Sequence, residues 1–149
     1  MNHQTSPTDT PRGDRRTVRV ILPARPADPV PATVEDVLLG AARVIARLGL
    51  YHDDYVQGAL SLGDLETPLF VRPMSVVGAL RFVTTGSPQR TCQLADQAMC
   101  YLALSIDGGP YRQDLLSMEA HVEDWADSVD APAAVAFLEL AATAPERAA

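Results

Sequence analysis

The chain contains no lysine; all 12 of its basic residues are arginine. It holds only 5% aromatic residues, with Trp125 the single tryptophan, and only two cysteines, Cys92 and Cys100. So few aromatics mean a core built from Leu, Val, Ile and Ala, which favours close packing of helices through small side chains. No apolar run reaches the 18 or more residues of a membrane span, so no membrane attachment is expected. The N-terminus, MNHQTSPTDTPRGDRR, lacks the apolar stretch of a secretory signal, which points to a cytoplasmic protein. Glycine-rich phosphate loops, Gly-x-Ser-x-Gly and paired CxxC motifs are absent, and with them the nucleotide, hydrolase and zinc-ribbon chemistries they carry.

The composition bounds what remains. A chain of 149 residues, 47% hydrophobic, is the size of one domain. Its net charge of −7 is unevenly spread. Residues 1–33 hold five arginines, Arg19 central among them, against three aspartates, whereas residues 34–149 hold seven arginines against sixteen acids. A mildly basic arm thus precedes a strongly acidic body. The acidic body disfavours direct nucleic-acid binding by the folded domain, because like charge repels phosphate.

Six prolines between Pro7 and Pro31 keep the arm from forming a helix. Within it, Thr17-Val18-Arg19-Val20-Ile21-Leu22 is β-branched enough to pair as a strand with a partner, whereas in an isolated monomer a disordered linker is expected. The character changes at Thr33, which forms a capping box with Asp36. Val34, Val37, Leu38, Ala41, Val44, Ile45 and Leu48 then recur at helical spacing, and Gly49 is placed to end the helix in a left-handed turn. Further helices are expected over about 73–85, 88–106 and 112–127, and from Asp130, with Pro132 in the first turn of the last. Gly78, inside the second helix, points to a close helix–helix approach there. Cys92 begins the buried stripe of the third helix, and the stripe of the fourth runs Leu115, Met118, Val122, Trp125. The fold class is therefore all-α: a compact bundle of about five helices over 34–149 with an extended N-terminal arm over 1–33.

Three stretches, Ala41-Ala42-Arg43-Val44-Ile45, Val77-Gly78-Ala79-Leu80-Arg81 and Glu123-Asp124-Trp125-Ala126-Asp127, together with the closing alanine-rich helix, resemble a family of small actinobacterial proteins. That family is known only as a domain of unknown function, number 6197. Its members carry Leu-Gly-Ala near the middle, here Val-Gly-Ala, and Trp-x-Asp before the last helix. The resemblance covers about residues 34–143. It implies a helical fold and an actinobacterial origin, which the all-arginine composition of a GC-rich genome also fits, but no mechanism.

Two constellations could carry chemistry. In Tyr51-His52-Asp53-Asp54-Tyr55, His52 and Asp53 could act as general base or metal ligand, but no second histidine lies at ligand spacing. On the fourth helix, Glu119, Glu123 and Asp127 line up at i, i+4, i+8, with His121 and Asp124 at i, i+3. Three like charges in a row are unfavourable unless an arginine, a metal or the basic arm lies opposite; a solvated acidic face is expected first, then a protein-docking surface, and a metal or catalytic site last. The catalytic candidates are therefore His52, Asp53, His121 and Asp124, and the binding candidates are Arg19, Glu119, Glu123, Asp127 and Trp125. No metal set and no cofactor are indicated. Trp125 is expected to be a buried anchor, and Cys92 and Cys100, too far apart on one helix to pair, reduced and structural. The expected function is that of a non-catalytic accessory or regulatory interaction protein. It would dock through the acidic helical surface, the arm, or both, with a protein partner or a second copy of itself. The alternative is a small enzyme or ligand-binding protein with an inter-helix pocket using histidine and carboxylates.

Overall fold

The computed structural model describes residues 29–58, 68 and 71–144. Five helices make up its architecture: α1 (Val34–Leu48), α2 (Val76–Thr85), α3 (Gln93–Ser105), α4 (Leu115–Asp127) and α5 (Ala131–Thr143). Among the described residues there is no strand, only isolated bridges from Met74 to Leu50 and to Val56. The all-helical fold expected from periodicity is the one observed. Residues 1–28 of the arm, with Arg19 and the strand-like island, lie outside the described residues.

Helix α1 is the axis of the bundle, packing on α5, α2 and α3, while α4 rests on α3 and α2. Its start is fixed locally. Thr33 Oγ1 accepts the Asp36 N–H at 3.2 Å, and the Asp36 carboxylate accepts the Ala32 and Thr33 N–H groups at 3.1 and 3.2 Å. These bonds, the Ala32 one foremost, hold the Asp36 carboxyl below its ordinary range. Val37, Leu38, Ala41, Val44 and Ile45 face the core. Gly49 ends the helix with φ +95°, its N–H bonded to the Ile45 carbonyl; its ψ of 166° is not that of a left-handed turn. Helix α5 begins as expected, at Asp130, whose side chain accepts the Ala133 N–H at 2.9 Å.

The three middle helices start later than expected. Ser75 caps α2 by accepting the Gly78 N–H at 3.0 Å, so Pro73 lies ahead of the helix rather than in its first turn. Helix α3 starts at Gln93 with Cys92 as its cap residue, because residues 87–90 close a separate turn in which the Arg90 N–H meets the Ser87 carbonyl. Asp114 caps α4 through the Ser117 N–H, and Tyr111–Gln113 precede the helix.

The connection after α1 doubles back along the start of α2. Tyr51 N–H donates to the Met74 carbonyl, Gln57 N–H to Pro73, and Ser75 N–H to Tyr55. This brings the Tyr55 carbonyl against Gly78. A Cβ at Gly78 would lie 2.1 Å from that oxygen, so only glycine fits. The close approach signalled by Gly78 is thus to the 50–58 loop rather than to another helix.

Candidate functional site

The acidic ladder of α4 does not face solvent as a free surface. Met118, Val122 and Ala126 form the buried stripe, and Glu119 and Glu123 flank it on the side of α2 and the 50–58 loop. Glu119 is held by Arg81 of α2, Nη2 to Oε2 at 2.8 Å, and by the Tyr55 hydroxyl. The Arg81 guanidinium also lies 4.5 Å from the centre of the Tyr55 ring. The Arg81–Glu119 pair is shielded, its side chains 12% and 18% exposed. Donation to Glu119 raises the Tyr55 pKa, because a neighbouring carboxylate favours the protonated phenol.

One turn further, the Ser75 hydroxyl donates to Glu123 Oε1 at 3.0 Å. The Val77 N–H is also directed at this carboxylate, which therefore sits at the N-terminus of α2. Burial nonetheless dominates, and with Glu119 and Asp127 nearby it pushes the Glu123 pKa up to about 7. The third rung, Asp127, pairs with His52 Nδ1 at 3.4 Å, both side chains about half exposed. The ladder is thus answered rung by rung: Arg81 and Tyr55, then Ser75, then His52.

The sequence candidates are brought together in unexpected pairs. His52 meets Asp127, not Asp53. His121 makes no hydrogen bond to Asp124, and its Nε2 is buried without a partner. Asp124 is exposed. Trp125 is only partly buried, on the rim of the core, with its ring 4.8 Å from that of Phe137 on α5. Leu115, placed in the buried stripe by its spacing, is exposed, because it lies beyond the end of the core. Among the described residues no group of three or more His, Cys, Asp or Glu could hold a metal.

The cysteines also differ from expectation. Cys92 lies at the N-terminus of α3, outside the buried stripe and partly exposed. The Ala95 N–H directed at its sulfur pulls its pKa below the ordinary thiol range. Cys100 is also partly exposed, but burial pushes its pKa up. Neither cysteine is in a disulfide.

Sequence reasoning missed Tyr55, Ser75 and Arg81, which lie 38 to 64 residues from their glutamates. The signal available was the row of like charges on α4. It called for partners without naming them.

A second surface feature lies at the loop end of the α3–α4 hairpin. Tyr111 is 91% exposed and Leu116 81%, with Leu104 and Leu115 beside them in chain order and also exposed. The Arg112 guanidinium lies 5.7 Å from the Tyr111 ring centre, and Asp107 and Asp114 flank the loop.

A family profile described as a family of unknown function, DUF6197, matches residues 29–144. The chain belongs to the DUF6197 family. Comparison with curated proteins and with solved structures gives no match. In this DUF6197 chain the Val77-Gly78-Ala79 motif is the point at which the 50–58 loop crosses α2. The Glu123–Asp127 stretch supplies two of the three rungs that bind that loop and the α2 N-terminus to α4.

Proposed function

We propose that this DUF6197 protein acts by non-catalytic association, as an accessory or regulatory protein whose docking surface is the loop end of the α3–α4 hairpin. The observation that carries this reading is the exposure of Tyr111 and Leu116, with Leu104 and Leu115, at one end of the bundle. Together they offer on the order of 500 Å² of apolar surface, against about 800 Å² per partner in a standard interface that is itself little more than half apolar. Exposed apolar side chains gathered around one loop of a small domain support a contact site there. Tyrosine beside arginine is also the pairing that concentrates binding energy at interfaces.

The partner proposed for this surface is a second copy of the chain. The patch carries both signs, Arg112 and Asp107, so a twofold contact can set the arginine of each copy against the Asp107 of the other. The acidic ladder is not the docking surface in this reading, since Glu119 and Glu123 are engaged within the chain. A cytoplasmic, actinobacterial setting fits the lysine-free composition and the absence, among the described residues, of any helix long and apolar enough to cross a membrane.

Light scattering across a concentration series tests the proposal. The wild-type mass should rise from the monomer value of 16.0 kDa towards twice that. Leu116→Asp, at an exposed position, should stay monomeric with an unchanged melting temperature. A wild-type mass independent of concentration, or a dimer indifferent to Leu116→Asp, overturns it.

A further inference from the structure

The outer faces of α1 and α2 line a partly open cavity of about 600 Å³, bordered at one side by Pro29, Val30 and Pro31. Leu39, Val44, Phe82 and Val83 give it apolar walls. Gly40 keeps it compact, since even a Cβ there would come within 3.2 Å of Val83 Cγ1. Arg43 and Arg47, one turn apart on α1, supply its positive groups. Both are exposed, and neither has an ion-pair partner among the described residues. Two like charges at i, i+4 oppose each other mildly, and an anion between them would remove that cost. This juxtaposition stands out in a chain of net charge −7.

The one acid in the wall, Asp36, is already engaged by the Ala32 and Thr33 N–H groups. It lies seven residues, about 10 Å along the helix axis, from Arg43, whose charge adds a weaker attraction on Asp36 than the backbone bonds do. The cavity is therefore polarised: positive at the Arg43–Arg47 end, apolar along Leu39, Phe82 and Val83, and negative at the far end. Its volume falls within the roughly 300 to 1,000 Å³ of small-molecule sites.

We infer that this cavity binds a small amphipathic monocarboxylate, with its carboxylate between Arg43 and Arg47 and its aliphatic chain along Leu39, Phe82 and Val83. Charge complementarity selects this occupant. The chain's own residues 1–28, with five arginines against three aspartates, have the wrong sign for that end of the cavity. The inference is independent of the association proposed above, because the cavity and the α3–α4 end share no residue.

Decanoate, below its micellar concentration, is the probe, with 1-decanol as the uncharged control. Calorimetric titration of the full chain should give saturable binding of decanoate and at least about tenfold weaker binding of decanol. Amide shifts in the NMR spectrum should centre on Leu39–Arg47 and Phe82–Thr84. Arg43→Gln/Arg47→Gln changes only exposed side chains and should keep the fold. It should weaken decanoate about tenfold while leaving decanol unaltered. Leu39→Trp, which fills the apolar wall, should weaken both. Equal affinity for acid and alcohol, shifts centred elsewhere, indifference to the double arginine variant, or no binding at all would each overturn the assignment. The α3–α4 variant Leu116→Asp should bind decanoate like the wild type, so failure of the association leaves this result readable.

Discussion

Glu123 is where burial and helix electrostatics oppose each other most directly. Its carboxylate receives the Ser75 hydroxyl at 3.0 Å and lies at the N-terminus of α2, both of which favour the ionised form. Burial disfavours that form and wins, raising the pKa from 4.5 to about 7. At 1.36 kcal/mol per pH unit, that rise corresponds to about 3 kcal/mol. The native state holds the proton more tightly than the unfolded chain does. The contribution of Glu123 to stability is therefore complete below pH 4.5 and is lost as pH rises through about 7. Glu123→Gln keeps an acceptor for Ser75 and has no charge to bury. Denaturant unfolding at pH 5 and pH 8 should show the two proteins close together at pH 5. At pH 8 the variant should be more stable by up to about 3 kcal/mol, equivalent to roughly 10 °C in melting temperature for a chain of this size. A variant less stable than the wild type at pH 8, or two parallel pH profiles, would falsify the reasoning. Either result would mean that Ser75 and the α2 amides stabilise the charge more than burial penalises it.

Three further outcomes follow from the same geometry. Gly78→Ala should destabilise by about 2 kcal/mol by chemical denaturation, despite alanine's helix preference of about 1 kcal/mol, because the new methyl meets the Tyr55 carbonyl; equal or greater stability would show that the loop can move aside. Cys92 should react with a thiol reagent well before Cys100 in the native protein, since the Ala95 N–H favours the Cys92 thiolate and burial opposes that of Cys100; mass-mapped labelling in the reverse order would contradict this. Trp125→Ala should cost about 2 kcal/mol, below the 3 to 5 of a fully enclosed aromatic, because the ring stacks on Phe137 at the rim of the core; a loss in the full range would mean that the ring is an interior anchor after all.

What was legible in the sequence follows the range of the forces involved. The Thr33–Asp36 box and the Asp130 cap with Pro132 are written within four residues, and both formed as their local chemistry dictates. Periodicity placed Val37, Leu38, Ala41 and Ile45 correctly because α1 is covered on several sides. It misplaced Leu115 because spacing records an angle around a helix, not where the core ends. Cys92 fitted a helical stripe, but the turn at 87–90 delays α3 until Gln93. The α4 carboxylates announced a need for partners. Arg81, Tyr55 and Ser75 answer it only because the 50–58 loop folds back over Gly78, a tertiary event with no short-range signature. The Arg43–Arg47 cavity likewise depends on where α2 lies against α1.

In the proposed association, the loop end of the α3–α4 hairpin docks a second copy of the chain. Hydrogen–deuterium exchange at low and high protein concentration tests it most directly. Amides of residues 104–116 should exchange more slowly at high concentration, with those of Glu119–Asp127 unchanged and the difference abolished by Leu116→Asp. Concentration-independent exchange at 104–116, or protection confined to the acidic stretch of α4, would contradict it.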